Sequence, residues 1–296
     1  MPLSPLASAY DQLVLDLDGC VWIGEQPIDG SVEAIAALRE AGKRVAFVTN
    51  NPRRGAEDYV QRLWAIGVQA SVADVVTVGG AVQHLLAETR SGRTAFVVGT
   101  ATLLEHVTEA GVKVLNGTDL ATRADLVVVG GTDDLVYDDL RVATLALRRG
   151  ADFLATSRDP THPMPDGLWP GTGAIVAALE YASDRKAAIV GKPEPQLVLT
   201  AIDRMGDGRT LAVGDRLDTD VAGAAKAGVD AALVLSGGTT AEQAEQALAN
   251  AARETARDSG VRPQAAGSAD GPPPGDSPSA TPIAVADTLA ALILRS

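Results

Sequence analysis

A chain of 296 residues that is 46% apolar can bury one large core or two modest ones without a covalent staple. Its formal charge of −13 argues against nucleic acid or an anionic membrane as the main partner, and a single cysteine, Cys20, excludes an internal disulfide framework and fits a reducing cytoplasm. The first ten residues carry no basic group ahead of their apolar ones, and no apolar run is long enough to span a bilayer, so a cytoplasmic protein without leader or membrane span is expected.

The first element is the run Gln12 to Leu15, three of its four residues apolar, which reads as a buried strand. It stops at Asp16 and Asp18, followed by Gly19. Carboxylates at i and i+2 leave a strand on the same side. Two such groups repel unless a cation or a shared proton holds them together. A metal-assisted nucleophile beside an acid/base fits that pattern, and a polar turn carrying two Asp fits it too. The three histidines, at 84, 106 and 162, show no metal-ligand spacing, so any metal should be a hard cation held by carboxylates.

Apolar runs then alternate with helix-like segments almost throughout, which predicts a mostly parallel α/β sheet. Ser31 to Ala41 reads as a helix closed by Gly42, and Arg44 to Val48 as a strand ending in Thr49-Asn50-Asn51-Pro52. A helix carrying Tyr59, Val60, Leu63, Trp64 and Ile66 stops at Gly67. Short strands follow near Val75 to Val78, Thr94 to Val98, Leu126 to Val129 and Phe153 to Ala155. Ala188 to Val190 reads as a strand opening a second block, with Gly191-Lys192-Pro193 as a turn and Pro195 to Met205 as a helix. Thr210 to Val213 is a strand ending at Gly214-Asp215, and Ala231 to Leu235 is another. Thr239 and Glu242 form a capping-box pattern opening a helix rich in Ala, Gln and Glu. From about Gly260 to Thr281 the composition turns to Gly, Pro, Ser, Ala and Asp, too polar to offset its ordering entropy, so a flexible insertion is expected. Ile283 to Ala286 and Leu289 to Leu294 read as a last strand and helix.

Four features fall at the ends of predicted strands: Asp16 with Asp18, Thr49-Asn50-Asn51, Lys192, and Asp215 with Asp220. Each has a bland alternative: Thr-Asn-Asn-Pro is a good turn, Gly-Lys-Pro suits a surface turn, and the acids after Gly214 could cap a helix. Their shared placement and order are hard to obtain by accident.

The set DLDG, TNN, GKP, GDRLDTD, with an insert between the second and third motifs, resembles the haloacid dehalogenase superfamily, and within it the class IIA phosphatases. The resemblance implies a Rossmann-like α/β core with an inserted α/β cap of the C2 type. Core would be 1–79, cap 80–186, core 187–258, flexible insertion 259–281, and the last strand and helix 282–296. It implies a Mg²⁺-dependent phosphatase of small phosphorylated metabolites, with Asp16 as nucleophile and Asp18 as acid/base. Mg²⁺ would bind Asp16, the Asp18 backbone carbonyl and Asp215, with Asp220 as an outer acid and Asp218 left to solvent or the helix start. Thr49, the Asn50 N–H and Lys192 would hold the phosphoryl oxygens. Arg158 to Pro163 resembles the substrate-facing cap segment of pyridoxal-phosphate phosphatases, which implies a substrate contact for His162, and Asn51 and Arg53 match substrate-side positions, although His162 between prolines also reads as an ordinary loop residue, and Arg53 and Arg54 as solvated helix-start residues. A homodimer through the cap is a further implication. Cys20 reads as a small buried residue or, less readily, a redox-sensitive thiol. Ser157 departs from the Asn or Asp of many relatives. The same fold also admits a phosphomutase, a phospho-accepting receiver module or a silent phospho-ligand-binding protein. Receivers, however, lack an acid/base two residues after the phosphorylated Asp.

Overall fold

The computed structural model describes residues 1–258 and 281–295. The expected flexible insertion, 259–281, lies outside them apart from Thr281. Gln12–Asp16 is buried at every position and forms the middle of a six-stranded sheet. An apolar strand with both faces buried is what a parallel sheet covered by helices requires. The order is Ala284–Ala286, Asp230–Val234, Thr210–Gly214, Gln12–Asp16, Arg44–Thr49, Val75–Thr77, with every pair parallel. Register places Leu15 opposite Phe47 on one side and Val213 on the other. The chain builds outward from Gln12–Asp16 in one direction, then returns and builds the other half from Thr210–Gly214. Such a reversal leaves a crevice beyond the carboxyl ends of the two strands, where ligands bind in open α/β sheets.

Between the two halves lies a second sheet, ordered Ala188–Ile189, Asp152–Ala155, Leu126–Val129, Thr94–Val98, Lys113–Val114, again all parallel. Helix Val78–Thr89 leads into it, capped by the Thr77 hydroxyl accepting from the Gly80 N–H at 3.1 Å. One apolar cluster runs from Val14 and Val48 through Val82 and Leu86 to Val97 and Val128, so the two sheets share a core. This is the α/β core with an inserted α/β unit that the motifs implied.

Three details differ from the sequence reading. Ala188–Ile189, expected in the second core block, pairs with Asp152–Ala155 in the inserted sheet. A two-residue strand carries no pattern that could assign it to either sheet. The Pro-rich stretch after Asp159 forms an antiparallel hairpin, Thr161–Met164 with Gly167–Pro170. The capping box of Ala241–Asp258 is made by Thr240 and Gln243, not Thr239 and Glu242: the Thr240 N–H donates to Gln243 Oε1 (2.9 Å) and the Gln243 N–H to Thr240 Oγ1 (3.2 Å). Thr239 is buried instead, its N–H donating to the Asp215 carbonyl at 3.1 Å. Among the described residues no helix is long and apolar enough to cross a membrane.

Candidate active site

The strand ends at the switch point bring the acids together. Asp16 closes Gln12–Asp16 and Asp215 follows Thr210–Gly214, so parallel neighbours deliver both carboxylates to one crevice. Asp220 comes back to them on the single helical turn Leu217–Val221, where its Oδ2 accepts from the Arg216 N–H at 3.1 Å. One oxygen from each of Asp16, Asp215 and Asp220 lies within 4.8 Å of the others, and all three residues are buried. Glycine makes the room. A Cβ at Gly19 or Gly237 would overlap the Asp215 carboxylate, and one at Gly214 would overlap Asp220. Gly19 also adopts φ +89°, a left-handed conformation that favours glycine.

Lys192, only 2% exposed, places its ammonium 2.5 Å from Asp16 Oδ1 and 2.6 Å from Asp220 Oδ1. Burial works against that charge, but Asp16 and Asp220 outweigh it and hold the ammonium above its ordinary range. Burial raises Asp16 well above the usual carboxylate range, Lys192 opposes it, and Asp220 and Asp215 add to the rise. Asp215 is pushed up to about 7, first by burial and then by Asp220, against a lowering hydrogen bond from the Gly238 N–H. Three buried carboxylates around one ammonium are short of positive charge, and their oxygen donors suit a hard divalent cation. The donor set and the glycine-lined space around it fit Mg²⁺.

Asp18 stands apart from that cluster. Its Oδ1 accepts from Trp22 Nε1 at 2.9 Å and its Oδ2 from Asn51 Nδ2 at 3.1 Å. Asn51 therefore reaches the cleft by way of the expected acid/base. Thr49 is buried at the end of its strand, with Oγ1 accepting from the Asn51 N–H at 3.0 Å. The Asn50 side chain is spent on its neighbours, donating to the Lys192 carbonyl (2.9 Å) and accepting from the Lys192 N–H (2.7 Å). The sequence reading assigned its main-chain N–H, not this side chain, to an anion. Arg53 pairs with Asp133, Nη2 to Oδ1 at 2.7 Å, and its Nη1 lies 3.5 Å from His162 Nε2. Burial, and then Arg53, lower the His162 pKa, so the ring is neutral at pH 7. Arg54 pairs with Glu25 rather than standing free, and Asp218 is exposed and paired with Arg216. Asp16, Asp18, Thr49, Arg53, His162 and Lys192 line one cleft that is open to solvent, with walls from both sheets.

Sequence reasoning missed three participants. Asp159, on the loop after Asp152–Ala155, accepts from Asn50 Nδ2 at 3.1 Å and sits 3.5 Å from Arg216 Nε. It ties the inserted unit to both halves of the core, and burial raises its carboxyl while Arg216 opposes the rise. Arg216 and Trp22 are the other two. Asp159 lies in the segment that carries His162, Arg216 lies inside GDRLDTD, and Trp22 comes four residues after Asp18. Ser157 is buried on the cleft wall, its Oγ 3.4 Å from the Asp159 N–H. Cys20 is fully buried, with Sγ 4.0 Å from the Val213 carbonyl and its thiol pushed up by burial, as fits a small packing residue.

Comparison with known proteins places this geometry. Residues 13–113 match the family model described as haloacid dehalogenase-like hydrolase, and 189–258 a second described as HAD-hydrolase-like. The chain is 40% identical over 237 residues to the D-glycerol 3-phosphate phosphatase of Mycobacterium tuberculosis, an alignment covering 79% of this chain and 65% of that protein. It is 32% identical over 239 residues to an acid sugar phosphatase of Staphylococcus haemolyticus, covering 80% of this chain and 89% of that one. Among solved structures, the M. tuberculosis glycerol phosphate phosphatase in complex with magnesium superposes with TM-score 0.77 at 34% identity, over 98% of this chain and 78% of that one. The 4-nitrophenylphosphatase of Thermotoga maritima gives TM-score 0.75 at 29% identity, over 98% of both chains.

Proposed function

This chain belongs to the haloacid dehalogenase-like hydrolases, and from that membership we propose that it is a Mg²⁺-dependent phosphatase of small phosphate monoesters working through an aspartyl-phosphate. The observation that carries the reading is the strand-end cluster: three buried carboxylates and one ammonium at the switch point, with a fourth carboxylate held two residues away.

Mg²⁺, held by Asp16, Asp215, Asp220 and the Asp18 carbonyl, would supply the positive charge that lets an anionic nucleophile and an anionic substrate approach each other. Asp16 attacks phosphorus while Asp18 gives its proton to the departing alkoxide. Asp18 then takes a proton from the water that cleaves the aspartyl-phosphate, so both residues end as they began. Thr49, the Asn50 N–H and Lys192 bind the phosphoryl oxygens, which requires the ammonium to share its hold on Asp16 with the incoming group.

The leaving-group end of the cleft supports a polyol or sugar phosphate. Its wall is made of Asn51, Arg53 (paired with Asp133), Thr161, His162 and Thr172, with no Phe, Tyr or Trp among the described lining residues. Hydroxyl groups find donors and acceptors there, whereas a pyridoxal ring or nucleobase finds only the His162 imidazole and the Arg53 guanidinium to stack on. The two relatives named for glycerol phosphate and acid sugars agree with that wall. The sheet-built cap weighs against a mutase, whose resembling relatives carry a helical one.

The test is phosphate release from glycerol 3-phosphate, a sugar phosphate, phosphoglycolate, pyridoxal phosphate, nucleoside monophosphates and 4-nitrophenyl phosphate, with and without Mg²⁺. Turnover that needs both Mg²⁺ and an intact Asp16, with polyol or sugar esters preferred, is expected. Activity retained by Asp16→Asn would sink the nucleophile assignment.

A further inference from the structure

The Asp18 carboxylate is fixed by a residue that never enters the cleft. The turn after Asp18 folds the chain back so that the Gly19 N–H donates to the Trp22 carbonyl at 2.7 Å, and Trp22 is fully buried. Its indole ring lies parallel to Tyr59 (3°, centroids 6.3 Å apart) and has the Arg62 guanidinium 3.8 Å from its centroid. Arg62 is tied in turn to the Gly24 carbonyl. A buried indole N–H needs an acceptor, and Asp18 Oδ1 supplies it at 2.9 Å. The other carboxylate oxygen, Oδ2, faces the side-chain amide of the cleft-lining Asn51.

The two partners differ chemically. Indole N–H can only donate, so a proton placed on Oδ1 weakens that bond. An amide carries both a donor and an acceptor, so Asn51 can donate to ionised Oδ2 and, by turning, accept from protonated Oδ2. We propose that Trp22 is a positioning residue: its N–H reserves Oδ1 as a permanent acceptor and assigns Oδ2 as the atom through which Asp18 moves its proton. The proposal rests on the phosphatase reading of the site. In the first step the proton on Oδ2 passes to the leaving oxygen as its bond to phosphorus breaks. In the second, a proton from the attacking water returns to Oδ2.

The test compares two leaving groups in single turnovers of the Mg²⁺-loaded full chain, followed by rapid quench. Glycerol must leave protonated, whereas 4-nitrophenolate leaves as a stable anion. Trp22→Phe keeps an aromatic ring between Tyr59 and Arg62 but removes the N–H. Since general acid catalysis contributes about 10²- to 10⁴-fold, misplacing the acid should slow glycerol release about 10- to 100-fold. Nitrophenolate release should fall less than about 3-fold, because it makes little use of the acid. In an Asp18→Asn background, Trp22→Phe should cost nothing further. Equal losses with both esters, an unchanged glycerol rate, or a full additional loss in the Asp18→Asn background would each overturn the assignment. Should Trp22→Phe fail to fold, Arg62→Met loosens the ring without touching the N–H and should show the same bias at smaller amplitude, its absence being equally fatal. A wild-type enzyme inert on both esters overturns the phosphatase reading and this one with it, an outcome visible before any variant is made.

Discussion

The cluster of Asp16, Asp215 and Asp220 with Lys192 ties metal binding to proton release. If all three carboxylates ionise, three negative charges face one positive charge, leaving two in excess. Lys192 is bonded to Asp16 and Asp220, so the Gly238 N–H, Lys192 and Arg216 together do not offset burial and Asp220 at Asp215, which is pushed up to about 7 from an ordinary 3.8. Because the folded carboxyl keeps its proton to a higher pH than the unfolded one, the folded chain binds more protons between those values. Stability of the metal-free protein is therefore greatest below pH 3.8 as far as this group is concerned, and is lost as pH rises through about 7. Roughly three units correspond to about 4 kcal/mol, or on the order of 10 °C in melting temperature for a chain of this size. A divalent cation cancels the excess charge and removes the reason for the proton. Melts in EDTA should fall between pH 5 and pH 8, and Mg²⁺ should restore most of the loss at pH 8. Calorimetric titration at pH 6, in two buffers of different ionisation enthalpy, should show about one proton or more displaced per Mg²⁺, and fewer at pH 8, where Asp215 has lost its own. Heats at pH 6 that do not depend on the buffer, or EDTA melts that rise from pH 5 to pH 8, would refute the charge argument.

Lys192→Met leaves Asp16 and Asp220 facing each other without their shared cation, and should destabilise the metal-free chain by about 3–5 kcal/mol, with much of that recovered in Mg²⁺. Equal melting temperatures in EDTA would show that the ammonium does not hold the cluster together. His162→Ala removes a neutral ring 3.5 Å from Arg53 at the leaving-group end of the cleft. One lost hydrogen bond should raise KM about 3- to 10-fold for the preferred ester while kcat stays within about 2-fold. An unchanged KM across the ester panel would remove His162 from the substrate wall.

Strand ends were the legible part of the site. A buried apolar run that stops at a carboxylate announces both the sheet and the side on which its chemistry lies, as Gln12–Asp16 and Thr210–Gly214 do. Asp16, Thr49, Lys192 and Asp215 follow from that logic, because each is positioned by the strand that it ends or follows, and Asp220 is returned to them by the turn Leu217–Val221. Residues that act from outside a strand end were not legible. Trp22 reads as one more apolar residue until its N–H is seen on Asp18, and Arg216 as one more surface cation until its guanidinium is seen 3.5 Å from Asp159. The hairpin Thr161–Met164 was hidden for a different reason: Pro163 breaks the strand pattern, and only the partner Gly167–Pro170 reveals the pairing. Thr239 and Thr240 show the limit of a spacing rule, since each has a residue with a side-chain acceptor three positions on, and burial against Asp215 decides between them.

Asp159 explains why the inserted unit belongs to the site and is more than a cover over it. Its carboxylate reaches Asn50, whose amide is bonded in both directions to the main chain of Lys192, whose ammonium holds Asp16. The seating of the insert and the placement of Asp16 are thus one hydrogen-bonded unit. A half-buried charge pair such as Asp159 with Arg216 adds little net stability, because desolvation offsets most of the attraction. Its value is geometric: an apolar contact between the sheets would tolerate sliding, whereas an uncompensated Asp159 or Arg216 is costly at any other position. The two sheets are therefore held by their shared apolar core and aligned by this pair. Alignment is what the proposed reaction requires, since Asn51 and Arg53 of the core and Thr161, His162 and Thr172 of the insert together wall the cleft beside Asp16.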